Sequence, residues 1–246
     1  MKIWAHRGCS QRYPENTIMA FSKAMEIRGL TGIELDIQMT KDGEIVVIHD
    51  ERVDRTTDGI GYVKDFTYAQ IRELGIETGM DHKEKIPSIN EVLDLMQEEW
   101  AAGLLLNIEL KNSIVLYEGM EEKIYGLIAE RNMQERIVYS SFYTFSLEKM
   151  RKLDTESSIG ILDTRVSDCL YKKDGLSKIN SAKIALHPFS KGMDLDKGRL
   201  HGQTVRAWFA GHLYPEESTG RKLDLNRLEE QGITDVFLNE PEVYLD

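Results

Sequence analysis

Gly32-Ile33-Glu34-Leu35-Asp36-Ile37-Gln38 alternates apolar and polar residues without a break. A strand sends successive side chains to opposite faces, so Ile33, Leu35 and Ile37 share one face while Glu34 and Asp36 share the other. The stretch Gly103–Lys111 repeats the arrangement, with Leu104, Leu106, Ile108 and Leu110 alternating with Asn107, Glu109 and Lys111. An apolar face suits the helix-covered outside of a sheet, and the carboxylates then point inward near the C-terminal strand ends. Six further short runs read as strands: Lys2–Ala5, Arg136–Ser140, Ser157–Leu162, Ser181–Leu186, Thr204–Phe209 and Asp235–Leu238. Eight strands interleaved with helical patterns predict βα units on a parallel sheet, and eight is the number that closes a (β/α)8 TIM barrel. A doubly wound open sheet is the alternative that pattern alone leaves standing.

The helices between the strands carry their own signals. Ser88 precedes the stripe Ile89, Val92, Leu93, Met96 and Trp100, with Glu91 three residues after it and Pro87 just outside. That spacing predicts a capping box opening an amphipathic helix. Ile18, Phe21 and Met25 form a second stripe, and Ile124, Leu127 and Ile128 a third. Thr144 is placed as the cap of the helix carrying Leu147 and Met150. One region breaks the rhythm: between His49 and Ile86 lie Gly59, Gly61, Gly75 and Gly79, with a short helical pattern around Ile71 and Leu74. It is too long for an ordinary βα loop and reads as an excursion, about residues 51–86, capping one end of a single domain that spans 1–246.

Composition bounds the partners. The 246 residues are 41% apolar, enough for a sizeable core, and carry a formal net charge of −11 with no basic run. A nucleic-acid or acidic-membrane surface needs a clustered positive field, so neither is expected. No apolar stretch approaches membrane-spanning length, and the first residues lack a signal-peptide pattern, which makes the cytoplasm the expected location. Cys9 and Cys169 are far apart and in no metal-ligand spacing, so they are read as free thiols, Cys9 as packing filler. A homo-oligomer is left open.

Three inward carboxylates, Glu34, Asp36 and Glu109, would each cost several kcal/mol to bury uncompensated. A divalent cation resolves that conflict, and oxygen-only ligands favour Mg²⁺ or Ca²⁺ over zinc; solvated or salt-bridged acids are the alternative. His6 ends the first strand and His49 follows Ile45–Ile48. Two imidazoles near an acidic cluster suffice for a general acid and a general base. Arg7 and Lys111 supply positive charge for a phosphate or balance the same carboxylates.

These residues also stand in a recognisable order. His6-Arg7-Gly8, Pro14-Glu15-Asn16-Thr17, Glu34-Leu35-Asp36, Lys41-Asp42-Gly43, His49-Asp50, Arg55-Thr56-Thr57 with Gly59 and Gly61, Ile86-Pro87-Ser88 and Ile108-Glu109-Leu110-Lys111 follow one another along the chain, and Gly232–Pro241 supplies a closing strand and turn. The ordered set resembles the glycerophosphodiester phosphodiesterase family over nearly the whole chain. The resemblance implies a (β/α)8 barrel with a small insertion after the second strand. It implies a Ca²⁺ or Mg²⁺ ion on Glu34, Asp36 and Glu109, an acid–base pair of His6 and His49, and Arg7 and Lys111 at the phosphate. Glu15 and Asn16 are expected to brace the first loop. The implied reaction hydrolyses a glycerophosphodiester to glycerol 3-phosphate and an alcohol. A phospholipase D-like enzyme acting on lysolipids or sphingolipids, and a catalytically silent phosphodiester-binding barrel, are the rivals. In one place the chain departs from the family pattern: Trp208, the implied apolar wall beside the glycerol, is followed by Phe209, Ala210, Gly211 and His212 rather than by polar Thr and Asn. That leaves alcohol recognition open and gives His212 no role.

Overall fold

The computed structural model describes residues 1–97, 103–176, 183–209 and 222–245. In chain order these residues form β1 (Lys2–His6), α1 (Ile18–Met25), β2 (Gly32–Met39), β3 (Ile45–Val47), α2 (Tyr68–Glu73), β4 (Ile76–Glu77), β5 (Lys83–Glu84) and α3 (Ile89–Met96). They continue with β6 (Leu105–Leu110), α4 (Met120–Glu130), β7 (Ile137–Ser141), α5 (Thr144–Leu153), β8 (Ser158–Asp163) and α6 (Val166–Leu176). The last are β9 (Ile184–Pro188), β10 (Thr204–Trp208), α7 (Leu225–Glu230) and β11 (Asp235–Leu238). Eight strands pair in parallel in the order β1-β11-β10-β9-β8-β7-β6-β2, and the β1–β2 pairing closes the ring. This is the (β/α)8 barrel, not the open sheet.

The alternation of β2 and β6 places their apolar faces outside. Ile33, Leu35 and Ile37 of β2 and Leu106, Ile108 and Leu110 of β6 pack with Phe21 of α1, Ile89, Val92, Leu93 and Met96 of α3, and Ile124 and Ile128 of α4. A second apolar cluster joins β8, β9, β10 and β11 to α5 and α6 through Leu147, Ile161, Cys169, Leu186, Val205 and Val236. Burying each such side chain stabilises the fold by about 1.5–3 kcal/mol. Inside the ring, Trp4, Val138 and Phe237 fill the lower barrel, and Trp4 Nε1 donates to Asp235 Oδ1 at 3.0 Å. Gly32 exists to admit that indole, since a Cβ there would lie 2.5 Å from the Trp4 ring.

Ser88 and Glu91 form the expected capping box on α3. Thr144 does not cap α5: it is the first helical residue, and Tyr143 stands at the cap position without a side-chain hydrogen bond. Trp100 lies outside the described residues, as does the start of the expected strand Ser181–Leu186.

Three short strands were not anticipated: β3, β4 and β5. β2 runs on past its barrel neighbours, turns at 40–44, and pairs antiparallel with β3 in the register Ile37↔Val47 and Met39↔Ile45. The chain then leaves β3 for the excursion, which has its own apolar cluster of Val46, Ile48, Val53, Val63, Ile71, Ile76 and Ile86 and a β4–β5 hairpin. Among the described residues, no helix is long and apolar enough to cross a membrane.

Candidate active site

Sheet register sets the site. His6, Glu34 and Asn107 are level across β1, β2 and β6, and Asp36 and Glu109 are level one step higher. Inward parity therefore gathers Glu34, Asp36 and Glu109 so that one oxygen of each lies within 4.8 Å of the others, all three residues being buried. The surrounding cavity, of about 400 Å³, is lined on this side by His6, Arg7, Glu34, His49, Asp50, Arg55 and Glu109.

The triad is electrostatically frustrated on its own. Burial, and then the neighbouring Asp36 charge, push the Glu34 carboxyl well above its ordinary range. Glu109 is also raised by burial, even though Lys111 opposes the shift. Burial works against ionisation of Asp36 too, but His49, Arg7, Lys111 and the hydrogen bond from Asn16 outweigh it and hold Asp36 low. Asp36 Oδ1 is buried and accepts no hydrogen bond. A hard cation among these oxygens would satisfy that atom and let all three carboxyls ionise.

The loop after β1 is tightly wound. Arg7 takes φ 58° and Gly8 φ 82°. Only glycine fits at position 8, because a Cβ would sit 2.6 Å from the Ala20 carbonyl carbon of α1. The turn aims Arg7 at the carboxylates: its backbone N–H donates to Glu34 Oε2 at 3.1 Å, Nη1 to Glu15 Oε1 at 2.9 Å, and Nε lies 3.3 Å from Asp36 Oδ2. Asn16 Nδ2 donates to Asp36 Oδ2 at 2.9 Å, so Asn16 and Glu15 brace this loop. Lys111 Nζ pairs with Glu109 Oε1 at 3.1 Å and stands 4.0 Å from Asp36 Oδ1. Asp36 and Lys111 lie beneath the cavity surface rather than on it.

The two imidazoles reach the cavity by different routes. His6 comes up the barrel on β1, with Nδ1 2.6 Å from the Asn239 amide oxygen and Nε2 3.8 Å from Glu34. Burial, then the Arg7 charge, lower its pKa to about 3, so it stays neutral. His49 is carried back by β3, with Nδ1 2.6 Å from Asp50 Oδ1. In each ring Nδ1 is engaged by an acceptor, which leaves Nε2 as the nitrogen able to exchange a proton.

The opposite wall is aromatic. Phe142, Leu162, Trp208, Phe209 and Phe237 line it, with Ser140 and His187 among them. Trp208 packs against Phe189 at 4.7 Å and edge-on to Phe142 at 6.2 Å, and its Nε1 donates to the His187 carbonyl at 3.1 Å. His187 is fully buried, with its ring over Gly160, where a Cβ would stand 2.1 Å from Cε1. Burial, then Arg206, hold His187 well below its ordinary pKa. Sequence reading missed His187, though Ala185 and His187 alternate with the apolar Ile184 and Leu186 and carry the same inward parity as Glu34 and Asp36. It also missed Asn239, Phe142 and Phe237, and it gave Asp50 and Arg55 no role. Ala210, Gly211 and His212 lie outside the described residues.

Known proteins are similar to this chain. A profile of the Glycerophosphoryl diester phosphodiesterase family matches residues 6–210. A glycerophosphodiester phosphodiesterase of Caldanaerobacter subterraneus subsp. tengcongensis is 40% identical over 250 residues, covering 99% of this chain and 96% of that protein. Among solved structures, an Oleispira antarctica phosphodiesterase in complex with the product sn-glycerol-3-phosphate is 25% identical, with a TM-score of 0.73 over 99% of this chain and 94% of its own. A glycerophosphodiester phosphodiesterase from Agrobacterium tumefaciens, 22% identical, shares the fold with a TM-score of 0.74 over 99% of this chain and 98% of its own.

Proposed function

Because this chain belongs to the glycerophosphoryl diester phosphodiesterase family and is an enzyme of that activity, we propose that it splits glycerophosphodiesters into glycerol 3-phosphate and an alcohol by metal-dependent hydrolysis. The observation that carries the reading is the meeting of Glu34 and Glu109, with Asp36 just beneath them, and two imidazoles, each tethered at Nδ1, on one wall of one cavity. The sn-glycerol-3-phosphate held by the Oleispira phosphodiesterase supports the choice of product.

Glu34, Asp36 and Glu109 would hold the cation, and their oxygen-only donor set with the unpartnered Asp36 Oδ1 suits Mg²⁺ or Ca²⁺. When bound, the cation supplies positive charge against which phosphoryl oxygens gain negative charge. Arg7 and Lys111 share that role, the first as a planar fork fixed by Glu15 and Asp36, the second as a compact charge. One imidazole takes the proton of the attacking hydroxyl at Nε2, and the other delivers a proton to the departing alcohol oxygen. The attacking group is water, giving glycerol 3-phosphate directly, or the glycerol hydroxyl next to the phosphate, which forms a cyclic phosphate as the alcohol leaves and which water then opens to glycerol 3-phosphate. A 2-deoxyglycerol analogue turned over at full rate excludes the hydroxyl. Trp208 stands as the apolar wall beside the glycerol carbons.

The test is glycerol 3-phosphate release from glycerophosphocholine by chelator-treated protein, with Mg²⁺, Ca²⁺ or Mn²⁺ restored in turn. We expect no turnover in chelator and recovery with at least one cation. Undiminished release from protein shown to be metal-free would overturn the metal dependence.

A further inference from the structure

Arg55 stands in the run Arg55-Thr56-Thr57, to which neither the carboxylate triad nor the imidazole pair gives a task. It lies at the start of the excursion, yet its guanidinium reaches two carboxylates together. Nε and Nη2 donate to Asp50 Oδ2 and Oδ1 at 2.6 and 3.0 Å, and Nη1 and Nη2 donate to Glu15 Oε2 and Oε1 at 2.7 Å each. Each carboxylate has a second partner. Asp50 Oδ1 meets His49 Nδ1 at 2.6 Å, and Glu15 Oε1 accepts from Arg7 Nη1 at 2.9 Å. Glu15 belongs to the loop after β1, whereas Asp50 and His49 follow β3.

We infer that Arg55 is a positioning residue for the hydrolysis, clamping Asp50 to Glu15 so that His49, just after β3, is held in register with Arg7 of the first loop. Two observations favour a clamp over a direct substrate contact. The four hydrogen bonds occupy four of the five N–H groups of the guanidinium, and two carboxylates already face its single charge. The excursion keeps its own apolar cluster, in which Arg55 takes no part, and what the fork adds is the excursion's placement against the first loop. Displacement of a reacting group by about 1 Å can cost on the order of 100-fold in rate, which is the scale at which such a clamp acts. Lysine offers a point charge and cannot hold both carboxylates in one plane.

The inference rests on the acid–base reading of His49, and a double-mutant cycle separates the two. In the full-length protein with saturating metal and glycerophosphocholine, Arg55→Gln should lower kcat by up to about 100-fold, the scale on which misplacing a reacting group by about 1 Å acts. KM should move by less than about 3-fold, and the cation concentration giving half-maximal rate should stay unchanged. Arg55→Lys should fall in the same direction, and it carries the test if the glutamine variant does not fold. In a His49→Ala background, Arg55→Gln should cause no further loss, because it acts through a ring that is gone. A full additional loss in that background, or a change confined to KM, overturns the clamp and makes Arg55 a substrate contact. Near-normal turnover by His49→Ala alone overturns the reading of His49 instead.

Discussion

The wall of the cavity built by β1, β2, β3 and β6 and the wall built by β7 to β11 are held by different forces. On the first wall, every charged side chain is tied by hydrogen bonds or ion pairs, as in the chain Arg7–Glu15–Arg55–Asp50–His49. On the second, rings pack on rings, and Trp208 is fixed by Phe142, Phe189 and one bond to a backbone carbonyl. Directional bonds fix atoms to a fraction of an ångström, while apolar contact fixes shape and tolerates exchange. On the proposed reading, the first wall suits a reacting group with one geometry, the second a portion of the ligand recognised by size.

That contrast is breakable. The largest effect belongs to the charged wall: His6→Ala and His49→Ala should each lose roughly 10²- to 10⁴-fold in kcat while keeping the wild-type circular dichroism spectrum. Near-normal rates in both would erase the distinction. Next, Glu109→Gln should raise the Kd for Mg²⁺ or Ca²⁺, read by calorimetry, by at least about 10-fold, the lower bound for disturbing a metal's surroundings. An unchanged titration would remove Glu109 from the ligand set. On the aromatic wall, Trp208→Ala should raise KM by on the order of 10-fold, the worth of a modest apolar contact, with kcat nearly kept. A kcat collapse without a KM change would show that this wall, too, sets reacting geometry. The smallest effect concerns His187, kept neutral by burial and then by Arg206. Its folded pKa lies below its unfolded one, so the unfolded chain binds the extra proton and stability falls as pH drops through about 6.5. The slope is at most about 1.4 kcal/mol per pH unit for one such group. His187→Gln should flatten the wild-type slope in urea unfolding between pH 7 and 5, and an identical slope would remove His187 from the account.

The two walls were also unequally legible. Glu34, Asp36 and Glu109 stand out because their strands have one apolar and one polar face, and period-two alternation shows only where the faces differ. β3 was invisible for the converse reason. Ile45 and Val47 enter the cluster beneath β2 while Val46 and Ile48 enter the excursion's cluster, so both faces are apolar and no alternation is left to read. The β4–β5 hairpin has two residues per strand, too few for any period. Asn239 meets His6 across 233 positions, and Arg55 meets Glu15 across 40, separations at which local pattern carries no signal. The ordered motifs included Asp50 and Arg55, in separate runs, without saying what either touches. The aromatic wall is assembled from ends of five strands, and a lone Phe at a strand end looks like any core residue.

The return of β3 along β2 has a consequence for anyone who reshapes this protein. A minimalist who pared the chain to eight bare strands and their helices would amputate one of the two rings, because His49 hangs from the appendage and not from the scaffold. If His49 and Arg55 act as proposed, any graft of this chemistry onto another barrel must bring the hairpin and its arginine staple along as one cassette.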